Sequence, residues 1–451
     1  MLLTKLFRFV APPALFALSI FSIASAQNPA PDSSTPAPDA FFFHDGDTPA
    51  VFLGDSITQQ ERYSTLIETY VLTRFPTWNI TFRNAGWNGD TAWLSQRQGT
   101  GLKRDVLPLQ PKSVLIDFGM NDARGGDGTY SKYVDSLTGL VKDLEKAGAR
   151  VALVTSSPEE KYEAGQPGGS SYNVMLKKYA DGVKSVADNE KVPFVDQFTP
   201  FVNFIEAGRK AGVLNDALNP DGSDGARLIP KDGVHPGWGG HLIMATAILQ
   251  GLHAPAMVSS VTLDAAGRSI LGSNGCTVEW TGVNDGTVQF KRTDEALPWP
   301  WPVDPSIDLA LKIPGFDPQT ALNQYITKVT GLTAPSYDLT IDGKEIGTYS
   351  SSDLANGVNL ASVRQGPIYD QMQQILKTVQ AKNDDYLTRW RSVQLFQVPA
   401  WLAADHSIET ARQAELTRLD KQIADEEKSL DTLRQPVTHL FKLTPVPSPG
   451  K

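Results

Sequence analysis

The sequence predicts an α/β protein. A flavodoxin-like three-layer α/β/α domain with a parallel sheet comes first, and a smaller β-rich and helical-hairpin region follows it. Three observations carry this. Apolar β-rich runs alternate with helical patterns through residues 46–253, the arrangement of a parallel sheet covered on both faces. Short β runs with glycine turns then occupy 254–365. Two amphipathic helical stretches close the pattern at 366–435.

Residues 1–26 read as a signal peptide. Lys5 and Arg8 give a positive start, 10–23 form a short apolar core, and Ala24-Ser25-Ala26 is a cleavage site of the A-x-A kind. The apolar run is too short for a membrane span, although an uncleaved anchor is the alternative, and no other stretch is long enough to cross a bilayer. The mature protein is therefore expected in the periplasm or outside the cell. Residues 27–45, rich in Pro, Ser, Ala and Asp between 28 and 39, read as an extended leader.

In the domain 46–253, strands are expected at 50–53, 80–83, 113–118, 150–154 and 192–195, and helices at 58–74, 132–146, 172–188 and 239–252. The glycine-bearing loops 125–129 and 158–171 are candidate walls of a cleft. Beyond 254, runs at 257–263, 276–281 and 287–291 suggest a small antiparallel meander, and 336–349 a hairpin about Asp342-Gly343. Pro298-Trp299-Pro300-Trp301-Pro302 either stacks on sugar rings or plugs a domain interface, the commoner use of such aromatics. Two stripes define the helical hairpin. One is Ile368, Met372, Ile375, Val379, Tyr386, Trp390 and Val393; the other is Leu416, Leu419, Ile423, Leu430 and Leu433. The hairpin is expected to pack on the β part or on a partner chain. Residues 436–451 read as a flexible tail.

Composition narrows the function. The 451-residue chain carries a formal charge of −9 and no Lys/Arg-rich run, which argues against a nucleic-acid partner. Its single cysteine, Cys276, excludes an intrachain disulfide, and no Cys/His spacing suggests zinc. Asp216, Asp221 and Asp224 lie in the loop 215–231, but without EF-hand spacing that loop reads as a polar lid or turn. No metal or other cofactor is implied.

Four short blocks carry chemistry: Gly54-Asp55-Ser56-Ile57-Thr58, Asn84-Ala85-Gly86-Trp87-Asn88-Gly89-Asp90-Thr91, Gly119-Met120-Asn121-Asp122 and Asp232-Gly233-Val234-His235-Pro236. A serine hydroxyl near neutral pH needs a base to take its proton. Ser56 falls where an apolar strand ends and a helix begins, the side of an open α/β sheet where ligands bind. The plain alternative is that Asp55 and Ser56 serve only as turn and cap residues. Among six histidines, His235 is the best base candidate, because Asp232 precedes it by three positions in a Gly/Pro turn. His241, His253, His406 and His439 read as surface or helix residues, and His44 as linker. Position 58 is Thr, so the Gly-x-Ser-x-Gly elbow is absent.

In this order the four blocks resemble the SGNH (GDSL-type) esterase and lipase family, over roughly residues 46–253. The resemblance implies Ser56 as nucleophile, His235 as base and Asp232 as its orienter. It implies the Ser56 N–H, Gly89 and Asn121 as oxyanion donors. The family pattern Asn-x-Gly-x-x-Gly-Asp-Thr favours Gly89 over the competing Gly86. The expected activity is exported serine ester hydrolysis through an acyl-serine. The expected substrate is a small-molecule or glycan ester, foremost a short-chain acetyl ester of a carbohydrate. A lysophospholipase or thioesterase using the same residues is the nearest alternative, and an inactive glycan- or partner-binding protein is another.

Overall fold

An apolar run without polar alternation suits a strand buried on both faces, and Ala50–Gly54 is such a strand, β1, with every residue buried. In the computed structural model, which describes residues 41–96, 101–161, 163–215, 226–230, 232–402 and 404–447, β1 is the second strand of a five-stranded sheet. The others are β2 (Phe82–Asn84), β3 (Ser113–Asp117), β4 (Arg150–Val154) and β5 (Phe194–Val195). The order is β2-β1-β3-β4-β5 and every pairing is parallel. The expected signal peptide, most of the leader and Asp216, Asp221 and Asp224 lie outside the described residues.

The helices of this domain are α1 (Ser56–Gln59), α2 (Arg62–Arg74), α3 (Ala92–Gln96), α4 (Asp127–Lys146), α5 (Tyr172–Glu190), α6 (Phe198–Lys210) and α7 (Trp238–Gly251). Four differ from expectation, the short and unexpected α3 among them. The stretch 58–74 is two helices, because Glu61 adopts a left-handed φ of 59°. No Gly or Pro marks that break. α4 begins at Asp127 after Gly126 (φ 60°), so much of the expected loop 125–129 is helix. α6 was not foreseen; Phe198, Phe201, Val202 and Ile205 bury one face of it. The leader also ends earlier than expected, since Phe41, Phe42 and Phe43 are buried in the core.

The second half adds β6 (Met257–Asp264), β7 (Ser269–Asn274), β8 (Cys276–Asn284), β9 (Thr287–Asp294), α8 (Pro305–Ala310), α9 (Pro318–Leu322), β10 (Gln324–Thr330), β11 (Ser336–Ile341), β12 (Lys344–Ser350), α10 (Ser351–Asn356), β13 (Val358–Asn359), α11 (Pro367–Leu387), α12 (His406–Leu433) and β14 (Thr438–Pro445). The expected meander is divided. β6 and β7 join β10 and β13 in one sheet, while β8 and β9 join β14, β11 and β12 in another. The fully buried Arg292 of β9 links the two sheets: it donates to Ser259 Oγ (2.7 Å), Thr327 Oγ1 (3.0 Å) and Ile326 O (3.2 Å), and pairs with Asp294 at 2.8 Å. The hairpin about Asp342-Gly343 forms as β11 and β12. Within the expected flexible tail, Thr438–Pro445 instead form strand β14, lying between β11 and β9. His439, Phe441 and Leu443 point one way from it and are buried.

The proline-tryptophan segment plugs an interface. Trp299 is buried, its Nε1 donates to Leu66 O (2.9 Å) on α2, and Asn323 holds its backbone from both sides. The helical hairpin docks on the α/β domain rather than on the β sheets alone. Lys382 Nζ of α11 meets Glu68 Oε1 at 2.6 Å with both side chains buried, and Asn383 donates to Thr65 Oγ1 (3.0 Å) and Glu68 Oε2 (3.2 Å). Arg83 and Glu427 pair at 2.7 Å. A π-helical turn, Thr388–Gln394, extends α11. The described residues share one continuous core, and Cys276 is a buried free thiol within it.

Candidate active site

Because β1 lies between β2 and β3, the segments leaving the carboxyl ends of these three strands meet above the sheet. They carry Ser56, Gly89 and Asn121. β1 ends at Gly54, where a Cβ would stand 2.1 Å from Thr58 Oγ1 and 2.6 Å from Asp117 O. The chain turns at Asp55, whose Oδ1 accepts the Ile57 N–H (2.9 Å) and caps α1. Asp55 does act as the cap, and Ser56 follows it with its Oγ 2.8 Å from His235 Nε2. The Ser56 N–H, at the start of a helix, has no partner among the described residues.

The turn before α7 builds the other half. Asp232 Oδ1 accepts the N–H groups of Val234 (2.9 Å) and His235 (3.0 Å), and its Oδ2 lies 2.7 Å from His235 Nδ1. With its Nδ1–H donating to the Asp232 carboxylate, the ring leaves Nε2 to accept from the Ser56 hydroxyl. Partial burial pushes the Asp232 carboxyl up, but the hydrogen bonds from His235 and the backbone outweigh it and hold the group below the usual carboxylate range. Gly233 takes a φ of 74°, and a Cβ there would stand 2.5 Å from Glu160 O. Glu160, in the loop after β4, donates its N–H to Gly233 O (2.8 Å), and its Oε2 accepts from Leu228 (3.0 Å) and Ile229 (2.8 Å). On the other side, Arg62 (3.0 Å) and Gln60 (3.3 Å) donate to Pro236 O. The turn is braced from both flanks.

Hydrogen-bond accounting separates the two glycines of the second block. The Gly86 N–H is taken by Asn84 Oδ1 (2.8 Å), and a Cβ on Gly86 would meet Gln59 N at 2.2 Å. Gly86 is therefore a close-packing glycine. The neighbours of Gly89 are also engaged: Asn88 N–H goes to Gln59 Oε1 (2.6 Å) and Asp90 N–H to Trp87 O (3.0 Å). The Gly89 N–H has no partner among the described residues, and its φ of 72° favours glycine with open space around it. Asn121 Nδ2 donates to Asp90 O (2.8 Å) and lies 3.5 Å from Asp55 Oδ2, so its second N–H is only weakly held. Asp122 Oδ1 accepts the Ala92 N–H (3.0 Å) and ties the second and third blocks together.

Buried carboxyls lie beneath these groups. Burial pushes Asp55 up to about 7, against the pull of the Ile57 N–H and of His235. Burial likewise raises Asp122 to about 7 and Asp90 to about 6. A cavity of about 190 Å³ opens beside Gly89, with Trp87, Asp90, Leu94 and Arg104 in its wall. A larger one of about 440 Å³ lies against Trp301, Phe316 and Tyr369, and Ser56, Gly89, Asn121, Asp232 and His235 do not line it.

All five expected residues, Ser56, Gly89, Asn121, Asp232 and His235, thus lie on segments that converge at this end of the sheet. Of the other histidines, His241 sits in a helix, as expected, although buried, and the expectation fails for His439. His241 is buried in α7, stacks on Tyr63 and bonds Gln60 Oε1 (3.0 Å), while burial drives its imidazole far below the usual range. His439 is buried on β14 with Nδ1 2.6 Å from Asp342 Oδ2, a pairing with no local signature because the two are distant in sequence. Glu160, Arg62 and Gln59 were also missed. Their roles arise from contacts across the fold, and no spacing rule encodes them.

A Ser–His–Asp chain beside free N–H groups can pass a proton and hold an oxyanion, the requirements of acyl transfer. The sequence profile of the GDSL-like lipase/acylhydrolase family matches residues 52–243. A search of curated proteins returns no match. Among solved structures, a gut microbial diltiazem-metabolizing enzyme is 24% identical with a TM-score of 0.71, over 90% of this chain and 98% of that one, so the shared fold runs through the C-terminal half. An acetylxylan esterase from Geobacillus stearothermophilus is 24% identical over 46% of this chain and 94% of its own, with a TM-score of 0.36. Residues 52–243 thus match the GDSL-like lipase/acylhydrolase family, and the chain is a serine ester hydrolase of the SGNH type.

Proposed function

We propose that the enzyme hydrolyses short-chain esters, foremost acetyl esters of carbohydrates, through an acyl-serine. Ser56 Oγ attacks the ester carbonyl while His235 Nε2 takes its proton. Asp232 orients the ring and stabilises the imidazolium. The N–H groups of Ser56 and Gly89 and the Asn121 amide receive the developing oxyanion. His235 then protonates the departing alkoxide. Water attacks the acyl-serine with His235 again as base, releasing the acid.

The observation that carries this reading is the chain Ser56 Oγ–His235 Nε2 (2.8 Å) and His235 Nδ1–Asp232 Oδ2 (2.7 Å) beside the Gly89 N–H, unpartnered among the described residues. The cavity beside Gly89 is small, about 190 Å³ against roughly 300–1,000 Å³ for pockets of larger ligands, but neither Ser56 nor His235 lines it. The reading includes export, on the strength of the charged, apolar and Ala-Ser-Ala pattern of residues 1–26.

A panel of p-nitrophenyl esters from acetyl to long chain, followed by an acetylated glycan, tests it. The acetyl ester is expected to be the best substrate, and Ser56→Ala to lose nearly all turnover while folding normally. Substantial turnover by Ser56→Ala would remove the nucleophile assignment. A preference for long acyl chains would replace the acetylesterase reading with a lipase one.

A further inference from the structure

Arg391, on the π-helical turn of the C-terminal hairpin, reaches the segment that carries Gly89. Its Nη1 donates to Gly86 O (3.3 Å) and its Nη2 to Gln59 Oε1 (3.1 Å). Gln59 closes the short helix that begins at Ser56, and the same Oε1 accepts the Asn88 N–H at 2.6 Å. One side chain therefore joins the nucleophile's helix to the residue before Gly89. The guanidinium also lies over the Trp87 ring, 3.5 Å from its centroid.

The surroundings hold Arg391 in place. Trp390 packs edge-on against Trp87 (5.9 Å between centroids), and its Nε1 donates to Asp105 Oδ1 (3.1 Å). Asp105 in turn binds Arg104 through both carboxylate oxygens at 2.7 Å. The Arg104 guanidinium is 4.5 Å from the Trp87 centroid. Trp87, two residues before Gly89, thus carries cations from both halves of the chain.

We propose that Arg391 is a positioning residue of the ester-hydrolysing site, holding the Trp87–Asp90 segment in register with the Ser56 helix so that the Gly89 N–H faces the forming oxyanion. The proposal rests on the Ser56 reading above. The physical case is one of tolerance. An oxyanion donor acts at about 2.7–3.1 Å from the forming oxyanion, and a displacement of about 1 Å can cost about 10²-fold in rate. Gly89 itself has no side chain and, among the described residues, no hydrogen bond to fix it. Its placement depends on Gly86, Trp87 and Asn88. Arg391 contacts the first two directly and reaches the third through Gln59. Arginine suits the task because its planar fork spans two acceptors while its face lies on the indole, which lysine cannot reproduce.

Steady-state kinetics on a short-chain p-nitrophenyl ester test this with full-length wild type, Arg391→Ala, Arg391→Lys and Ser56→Ala, with the melting temperature taken on each preparation. Arg391→Ala is expected to lose about 10- to 100-fold in kcat with KM within about threefold, because a shifted donor affects the transition state more than the ground state. Arg391→Lys is expected to fall between, since it keeps the charge and much of the packing. Added guanidinium ion, at concentrations that do not denature, is expected to restore part of the Arg391→Ala rate. Wild-type kcat in folded Arg391→Ala and Arg391→Lys would overturn the proposal, as would a loss that only follows the folded fraction. Full activity in Ser56→Ala would instead overturn the underlying reading and this proposal with it.

Discussion

Asn121 offers the sharpest test of the site, because truncating it should separate stability from catalysis. In the ground state its amide makes one good hydrogen bond, 2.8 Å to Asp90 O, and one long contact, 3.5 Å to Asp55 Oδ2. Losing that hydrogen bond in Asn121→Ala should lower stability by about 1 kcal/mol. A folded protein stable by about 5–15 kcal/mol tolerates this. In the transition state the same change removes a donor aimed at new negative charge. Such a loss typically lowers kcat by about 10²–10³, equivalent to about 2.7–4 kcal/mol. KM should change by no more than about threefold. Asn121→Asp is a stricter variant. It keeps the shape but sets an acceptor against the Asp90 carbonyl and a charge beside Asp55, so it should be no more active than the alanine variant. The assay is kcat and KM on p-nitrophenyl acetate with a melting curve on the same preparation, and Ser56→Ala as the background. A destabilised Asn121→Ala with wild-type kcat would refute the reasoning and remove Asn121 from the oxyanion set.

Other expectations follow from the same contacts. Asp232→Asn should lower kcat by about 10³–10⁴, since it abolishes the charge that orients and stabilises protonated His235; a loss below tenfold would mean that His235 is held by other means. Lys382→Met strands the buried Glu68 and should cost about 3–5 kcal/mol, whereas the double variant with Glu68→Leu should recover most of it; equal melting temperatures for the single variant and wild type would contradict this. Glu61 is raised from an ordinary 4.5 to about 8, by burial first and by Asp384 second, against the pull of Lys382. Its folded form keeps a proton that the unfolded chain has lost. Stability should therefore fall as pH rises from about 4.5 to about 8, by up to about 1.4 kcal/mol per pH unit, and Glu61→Gln should flatten that slope. Denaturant midpoints across pH check it, and identical slopes for the two proteins would exclude Glu61 as the cause.

Local chemistry was enough to place much of the site. The apolar run 50–53 had to be a buried strand, and a Gly-Asp-Ser after it had to cap a helix with a hydroxyl exposed at the sheet's carboxyl edge. Asp232 and His235 are close in sequence, so a short turn alone can pair them. These features depend on neighbours within a few positions, and residue type and period encode such contacts directly. The choice between Gly86 and Gly89 was different. Both are glycines in one loop, and only the partners of their N–H groups distinguish them: Asn84 claims the first and nothing among the described residues claims the second. The break at Glu61 depends on a left-handed backbone that no Gly or Pro announces. β14 alternates like a strand, yet its partner residues lie far back in the chain; Thr438 bonds Thr293 across 145 positions. Lys382 and Asn383 look like solvent-facing helix residues until Glu68 and Thr65 are packed against them. Arg391 meets the Gly89 segment only because the hairpin docks on α2. The sequence by itself determined the chemical groups and the short-range geometry that pairs them. Only the tertiary structure decided which N–H stays free, which strand completes a sheet and which distant side chain holds the site together, because those follow from long-range packing that local periodicity does not record.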